Sequence, residues 1–297
     1  MHIVKFQHIG MVGYGEVGRI FTAGLKQQVS AVSAWDLKFP ANPSCREQAV
    51  QAGLTACDAM AALCAQADLV ISAVTASNTL AVAQAAAPHI RHGAVFLDLN
   101  SASPGTKQQA AQLIEAAGAR YVEAGVMTSV PPYGIRVPML LGGTSAAELA
   151  GVLNAWGMDA KAVSDQLGVA SAIKMCRSVM IKGLEALVIE SYNTARAYGV
   201  EDHVLPTLAE TFPSIDWEKQ GAYFFSRVVQ HGQRRAEEMR EAANTVREAG
   251  FEPFMATAIA DKQQWVADQA GAGVFAGVGK DARWQDYADK LLAGKPL

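Results

Sequence analysis

Cysteine and charge are both scarce in this chain. The four cysteines, at 45, 57, 64 and 176, include no CxxC pair. Neither a disulfide scaffold nor a zinc ribbon is encoded, and free thiols in a reducing cytoplasm are expected. Charged residues make up 18% of the 297, and 25 Lys and Arg against 28 Asp and Glu leave a net charge of −3 with no long run of either sign. That excludes the concentrated cationic surface that a phosphate backbone requires, so nucleic acid is not an expected partner. No secretory leader is read, and HExxH, GxSxG and metal-spaced Cys/His clusters are all missing, so no metal is expected. Uninterrupted apolar runs are missing too. The longest stretch without Asp, Glu, Lys or Arg, Leu69 to Ile90, is broken by Ser72, Thr75, Ser77, Asn78, Thr79, Gln84 and Pro88. It reads as a buried strand, a polar turn and a helix rather than a membrane span.

What is abundant is apolar surface, at 51% hydrophobic residues, enough for a substantial core in a chain whose length suggests two domains. The first half alternates short apolar runs with helix-period segments. Strands are predicted near His8 to Val12, Ala31 to Trp35, Leu69 to Val74, Val95 to Leu99, Tyr121 to Val126 and Pro138 to Leu141. Helices are predicted at Val17 to Gln28, Ala59 to Ala67, Thr79 to Ala87, Thr106 to Ala117 and Ala146 to Trp156. This is the pattern of a Rossmann-type, doubly wound α/β sheet. After about Val163 no period-2 run occurs, and helix formers continue to the end with breaks at Gly199, near Pro206 and Pro213, at Gly250 to Pro253 and near Gly271. Val169 to Tyr198 reads as one long helix. The expected domains are therefore 1–163, a dinucleotide-type α/β unit, and 164–297, all helical.

The sharpest motif is Gly13-Tyr14-Gly15-Glu16-Val17-Gly18, a GxGxxG between an apolar strand and an amphipathic helix. In such a frame the first glycine makes the turn, the second lets the backbone approach a pyrophosphate, and the third packs helix on strand. The helix N-terminus then offers free N–H groups to the phosphates. Asp36, at the end of the next strand, stands where a carboxylate holds a ribose 2′-hydroxyl, which favours NAD. A turn-capping role for Asp36, and tolerance of a 2′-phosphate by Lys38, keep NADP open. Val74 and Thr75, where the third expected strand ends, complete the expected cofactor-binding set.

With these residues in view, the chain resembles the β-hydroxyacid dehydrogenase superfamily, which includes 3-hydroxyisobutyrate dehydrogenase, tartronate semialdehyde reductase and 6-phosphogluconate dehydrogenase. The resemblance rests on four segments in order: GYGEVG, then Asp98-Leu99-Asn100-Ser101-Ala102-Ser103-Pro104 for DxSTxxP, then Gly142-Gly143, then Gly168-Val169-Ala170-Ser171-Ala172-Ile173-Lys174 for GxGxxxK. It implies a nicotinamide-dependent oxidoreductase acting on a small hydroxy acid, with Lys174 at the position of the family's catalytic lysine. Hydride loss from a hydroxyl-bearing carbon leaves a proton that a nearby base must take, and reduction needs the same group as acid. Burial beside a positively charged nicotinamide would depress such a lysine's pKa.

Departures from the family pattern fall on the substrate side. Arg177 and Ser178 replace two asparagines, Asn100-Ser101 replaces Ser-Thr, and Glu123 to Ser129 (EAGVMTS) replaces DAPVSGG. This points to a phosphogluconate dehydrogenase-like branch with a rebuilt pocket. Asn100, Ser101, Thr128 and Ser129 are expected to orient the substrate. Arg177 either holds its carboxylate or pairs with an acid on a neighbouring helix. Ser178 either bonds the substrate or fills space, and Lys182 is read as structural. His231, with Arg235 at i+4, either faces an acidic substrate or lies on a solvated charged helix. Cys176 is expected to pack inside. The resemblance implies a homodimer, and the nearly all-round apolar run Gly183 to Ile189 hints at the same. Two other functions remain open: imine or keto reduction on the same scaffold, with the retained lysine arguing against the imine chemistry, and NAD(P) binding without turnover.

Overall fold

The computed structural model describes residues 5–279 and 281–293. It consists of two compact units divided after Met175, which lies inside a helix rather than at the change of sequence texture near residue 163.

The strands of the first unit are β1 (His8–Val12), β2 (Ala31–Trp35), β3 (Thr55–Ala56), β4 (Leu69–Ser72), β5 (Val95–Asp98), β6 (Arg120–Val126), β7 (Pro138–Gly142) and β8 (Asp159–Ser164). They form one sheet in the order β3-β2-β1-β4-β5-β6-β7-β8. All neighbours are parallel except β6 and β7. Helices α1 (Glu16–Leu25), α2 (Pro43–Gln51), α3 (Met60–Gln66), α4 (Thr79–Ala86), α5 (Pro104–Ala116) and α6 (Ala146–Ala155) belong to the same unit. Strands β4 and β5 are buried along their whole length, as a parallel sheet covered on both faces requires. Successive residues enter different cores: Leu69, Ile71, Val95 and Leu97 pack in one apolar cluster, Val70 and Phe96 in another. This is the doubly wound architecture the sequence pattern predicts.

Three elements were not predicted. β3 has only two residues, too short for a periodicity. α2 buries Ala49 alone, so it carries no apolar stripe, although its start is signalled by the Asn42 cap on the Cys45 N–H (3.3 Å) and by Pro43 at the first helical position. β8 is a half-buried edge strand with two charged residues, which disguises its pairing with β7.

Helix α7 (Val169–Tyr198) has the predicted bounds. The second unit continues with α8 (Glu201–Thr211), α9 (Trp217–Glu248), α10 (Phe254–Gly271) and α11 (Trp284–Leu292). Its core gathers Ile189, Tyr192, Phe225, Val228, Val266 and Trp284. Pro206 does not break the chain as expected but lies within α8. It forfeits one intrahelical hydrogen bond there, a cost the helix absorbs. A Cβ at Gly221 would strike the Tyr192 ring, so this glycine sets the close approach of α9 to α7. Among the described residues no helix is long and apolar enough to cross a membrane, and no group of three metal-ligating side chains occurs.

Candidate active site

The glycine loop after β1 has the geometry a dinucleotide needs. Gly13 has φ +93°, and a Cβ there would run into the Ala73 carbonyl, so only glycine makes this turn. A Cβ at Gly18 would strike the Gly13 carbonyl, whereas one at Gly15 would meet nothing within 4 Å. Thus Gly18 seats α1 on the loop and Gly15 faces open space. No side chain caps α1, and exposed Gly15 and Glu16 with half-buried Val17 leave the helix start accessible to an anion. These residues fit a pyrophosphate. Tyr14 contributes differently from its neighbours: its side chain is buried and packs edge-on against Phe39, and its N–H donates to Asp36 Oδ2 at 2.7 Å. Asp36 Oδ1 accepts from the Lys38 N–H at 2.9 Å. The half-buried carboxylate therefore ties the glycine loop to the end of β2.

Each polar residue of the Asp98 to Pro104 segment has a distinct task. Asp98 is 1% exposed and meets Lys107 Nζ at 2.9 Å, with Lys107 fully buried. Tyr121 donates its hydroxyl to the other Asp98 oxygen at 2.5 Å, and burial followed by the Asp98 charge pushes the phenol pKa well up, keeping it a donor. Asn100 donates to Ser72 Oγ at 2.9 Å and accepts from the Val74 N–H at 2.7 Å. Expected as a substrate-orienting group, it is buried with both ends engaged and fastens the end of β5 to the end of β4, while Thr75 beside Val74 is exposed. Ser103 caps α5 by accepting from the Thr106 N–H at 3.2 Å, and Pro104 opens the helix.

Between these groups sits Ser101, half-buried, whose Oγ accepts from Lys174 Nζ at 2.5 Å. Lys174 lies in the second turn of α7. The start of that helix is held by Glu123 of β6, which is fully buried. Its Oε1 accepts from the N–H groups of Gly168 (2.8 Å) and Ala170 (3.0 Å), and its Oε2 from the Ser171 hydroxyl (2.7 Å). Of the remaining expected residues, Thr128 is exposed and Ser129 half-buried on the chain after β6, and Arg177 is exposed on α7.

Two expectations are corrected in the second unit, those for Arg235 and Cys176. Arg235 is buried in an ion pair with Glu185, backed by Gln263 on the same carboxylate at 3.2 Å. It serves the helical core and is not presented with half-buried His231. Cys176 is exposed, not packed inside, because its helical position falls outside the buried stripe. Ser178 is buried and accepts from Lys182 at 3.4 Å, and Lys182 pairs with Glu238 at 2.7 Å, a structural role in line with the expectation for Lys182.

Residues 8–159, slightly more than half of the chain, match the NAD binding domain of 6-phosphogluconate dehydrogenase. The chain belongs to that family. Residues 195–266 match a domain of unknown function (DUF1932). A conserved hypothetical protein from Sinorhizobium meliloti is 38% identical, with 97% of this chain and 96% of that one covered and a TM-score of 0.76. The conserved protein MTH1747, described by its structural similarity with 3-hydroxyacid dehydrogenases, is 30% identical over 89% of this chain and 99% of its own, with a TM-score of 0.66. Mycobacterium tuberculosis 3-hydroxyisobutyrate dehydrogenase, in a structure with L-serine, shares the fold at 16% identity (TM-score 0.69, 89% and 95% covered). This 6-phosphogluconate dehydrogenase-type domain supports an oxidoreductase that uses a nicotinamide cofactor.

Sequence reasoning missed Ser72, Lys107, Tyr121 and Glu123 as parts of this architecture. Two carried a usable signal. Lys107 shares the buried register of Ala110, Ala111 and Ile114 on α5, and Glu123 interrupts an otherwise apolar strand. A charge in an apolar register is a buried partner waiting to be found.

Proposed function

We propose that the protein oxidises, or in reverse reduces, a hydroxyl-bearing carbon of a small hydroxy acid, with Lys174 as the general base or acid. The observation that carries this reading is the hydrogen bond between Lys174 Nζ and Ser101 Oγ. It holds an amine against a polar hydroxyl at the end of β5, on the carboxyl side of the parallel sheet, where ligands bind in doubly wound folds. A nicotinamide cofactor held at the glycine loop and Asp36 would supply or accept the hydride. The amine takes the hydroxyl proton as the carbonyl forms and returns it in reduction. Ser101 accepts from that amine and keeps it oriented, and Asn100 sets the backbone that carries Ser101. Thr128 and Ser129 orient the substrate, and Arg177, one helical turn beyond Lys174, is assigned to its acid group. The retained lysine argues against the imine reductase reading.

The test is turnover of 3-hydroxy acids, 2-hydroxy acids and cyclic imines with NAD and NADP. Oxidation of a hydroxy acid supports the reading, imine reduction alone favours the reductase alternative, and tight cofactor binding with no turnover across all three classes favours a binding protein.

NAD is the preferred cofactor in this reading. Asp36→Ala is expected to weaken NAD about tenfold and to move the NAD/NADP preference toward NADP, read as the Kd of each by fluorescence titration. An unaltered ratio removes Asp36 from the ribose site. We further propose a cytoplasmic homodimer. Met180 and Leu187 of α7 are 74% and 56% exposed, more apolar surface than one helix of a monomer usually offers to water. Sedimentation velocity should give about twice the 31.4 kDa chain mass, and a monomer at micromolar concentration would overturn it.

A further inference from the structure

Glu123 is a fully buried carboxylate on which three donors converge, and all three come from one place, the first turn of α7 and the residue before it. The N–H groups there have no partners within the helix, and a carboxylate is the side chain that can accept from several of them at once. The surroundings are shaped around it. A Cβ at Gly142, across the antiparallel pair from Glu123, would fall on its carboxylate. Two residues along β6, on the same face, a Cβ at Gly125 would press on the Ala170 carbonyl at 3.0 Å and on Lys174 Cβ at 3.4 Å. Hence α7 rests directly on β6 at Gly125 and is fastened to it at Glu123.

Ala170 and Ser171 precede Lys174 by four and three residues, so all three share one face of the helix. Fixing the first two in height and rotation fixes the third. We infer that Glu123 is a positioning residue, which sets the Lys174 amine at Ser101 by anchoring the start of α7 to the sheet. This inference rests on the reading of Lys174 as the proton-transfer group for its consequence in turnover, but not for its structural content. Glutamine can take its place in part, since its one oxygen can accept from both N–H groups and its NH₂ can donate to the Ser171 hydroxyl while that hydroxyl donates to the Gly168 carbonyl, 3.1 Å away, whereas alanine removes every acceptor.

The test compares wild type with Glu123→Ala, Ser171→Ala and Lys174→Ala. The first measurement needs no substrate: the rate at which trinitrobenzenesulfonate labels each lysine, read by peptide mass spectrometry. Glu123→Ala should change the labelling rate of Lys174 by about threefold or more while other lysines keep theirs, and Ser171→Ala should act in the same direction with a smaller effect. The second measurement is oxidation of 3-hydroxypropionate and 3-hydroxyisobutyrate. With misplacement on the order of 1 Å, kcat of Glu123→Ala should fall roughly tenfold to a hundredfold at unaltered cofactor Kd, with no further loss when the change is made in Lys174→Ala. Wild-type Lys174 labelling in folded Glu123→Ala overturns the inference. If that variant does not fold, wild-type labelling in Ser171→Ala overturns it. Full turnover by Lys174→Ala, or none by wild type, counts instead against the proposed reaction and leaves the labelling result to decide the role of Glu123.

Discussion

Replacement of Lys174 by alanine is expected to lower kcat by about a hundredfold to ten-thousandfold while the Kd for NAD stays within about twofold. The first range is the ordinary contribution of one positioned proton-transfer group. The second follows from the cofactor elements, since the glycine loop, Asp36 and the start of α1 are built without Lys174. Stopped-flow reduction of NAD with a turned-over hydroxy acid, beside fluorescence titration of the cofactor, separates the two quantities. Ser101→Ala should cost less, since it removes only the hydroxyl on which the amine is oriented. A Lys174→Ala enzyme as fast as wild type would end the assignment of this lysine to the reaction.

The second large effect is on stability. Lys107→Ala should destabilise the first unit by about 3–5 kcal/mol, because it strands the Asp98 carboxylate in a site that is 1% exposed. Tyr121 and the Asn100 N–H would still bond Asp98, but hydrogen bonds do not neutralise a buried charge. The double variant Lys107→Met with Asp98→Asn removes both charges and should recover most of the loss. Urea denaturation followed by near-ultraviolet circular dichroism gives the comparison. Equal midpoints for wild type and Lys107→Ala would mean that the pair contributes nothing net.

Local signals were legible where a short segment dictates its own geometry. GYGEVG could be read because its geometry is largely local, with a positive φ at Gly13 and a Gly18 that seats on the Gly13 carbonyl five residues before it, and the Val169 to Tyr198 helix because nothing inside it breaks the period. The tasks within Asp98 to Pro104 were less legible, since Asn100 meets partners at and just beyond the end of another strand, 28 and 26 residues away in sequence. Buried charges were the hardest. Lys107 and Glu123 each interrupt an apolar register without naming a partner and Arg235 looks like a surface residue; Asp98 is nine residues from Lys107, whereas Gly168 and Glu185 lie 45 and 50 residues from Glu123 and Arg235. β3, α2 and β8 escaped for a plainer reason, since an element that buries little writes no pattern.

The clasp that Asn100 makes also bears on protein engineering. The family's usual serine at this position is shorter by an atom and lacks the amide's paired donor and acceptor, so grafting it alone would unfasten the Val74 amide and leave Ser72 facing a void. Any attempt to convert this chain to a better-known substrate by restoring the familiar Ser-Thr pair must therefore redesign the neighbouring strand end in the same step.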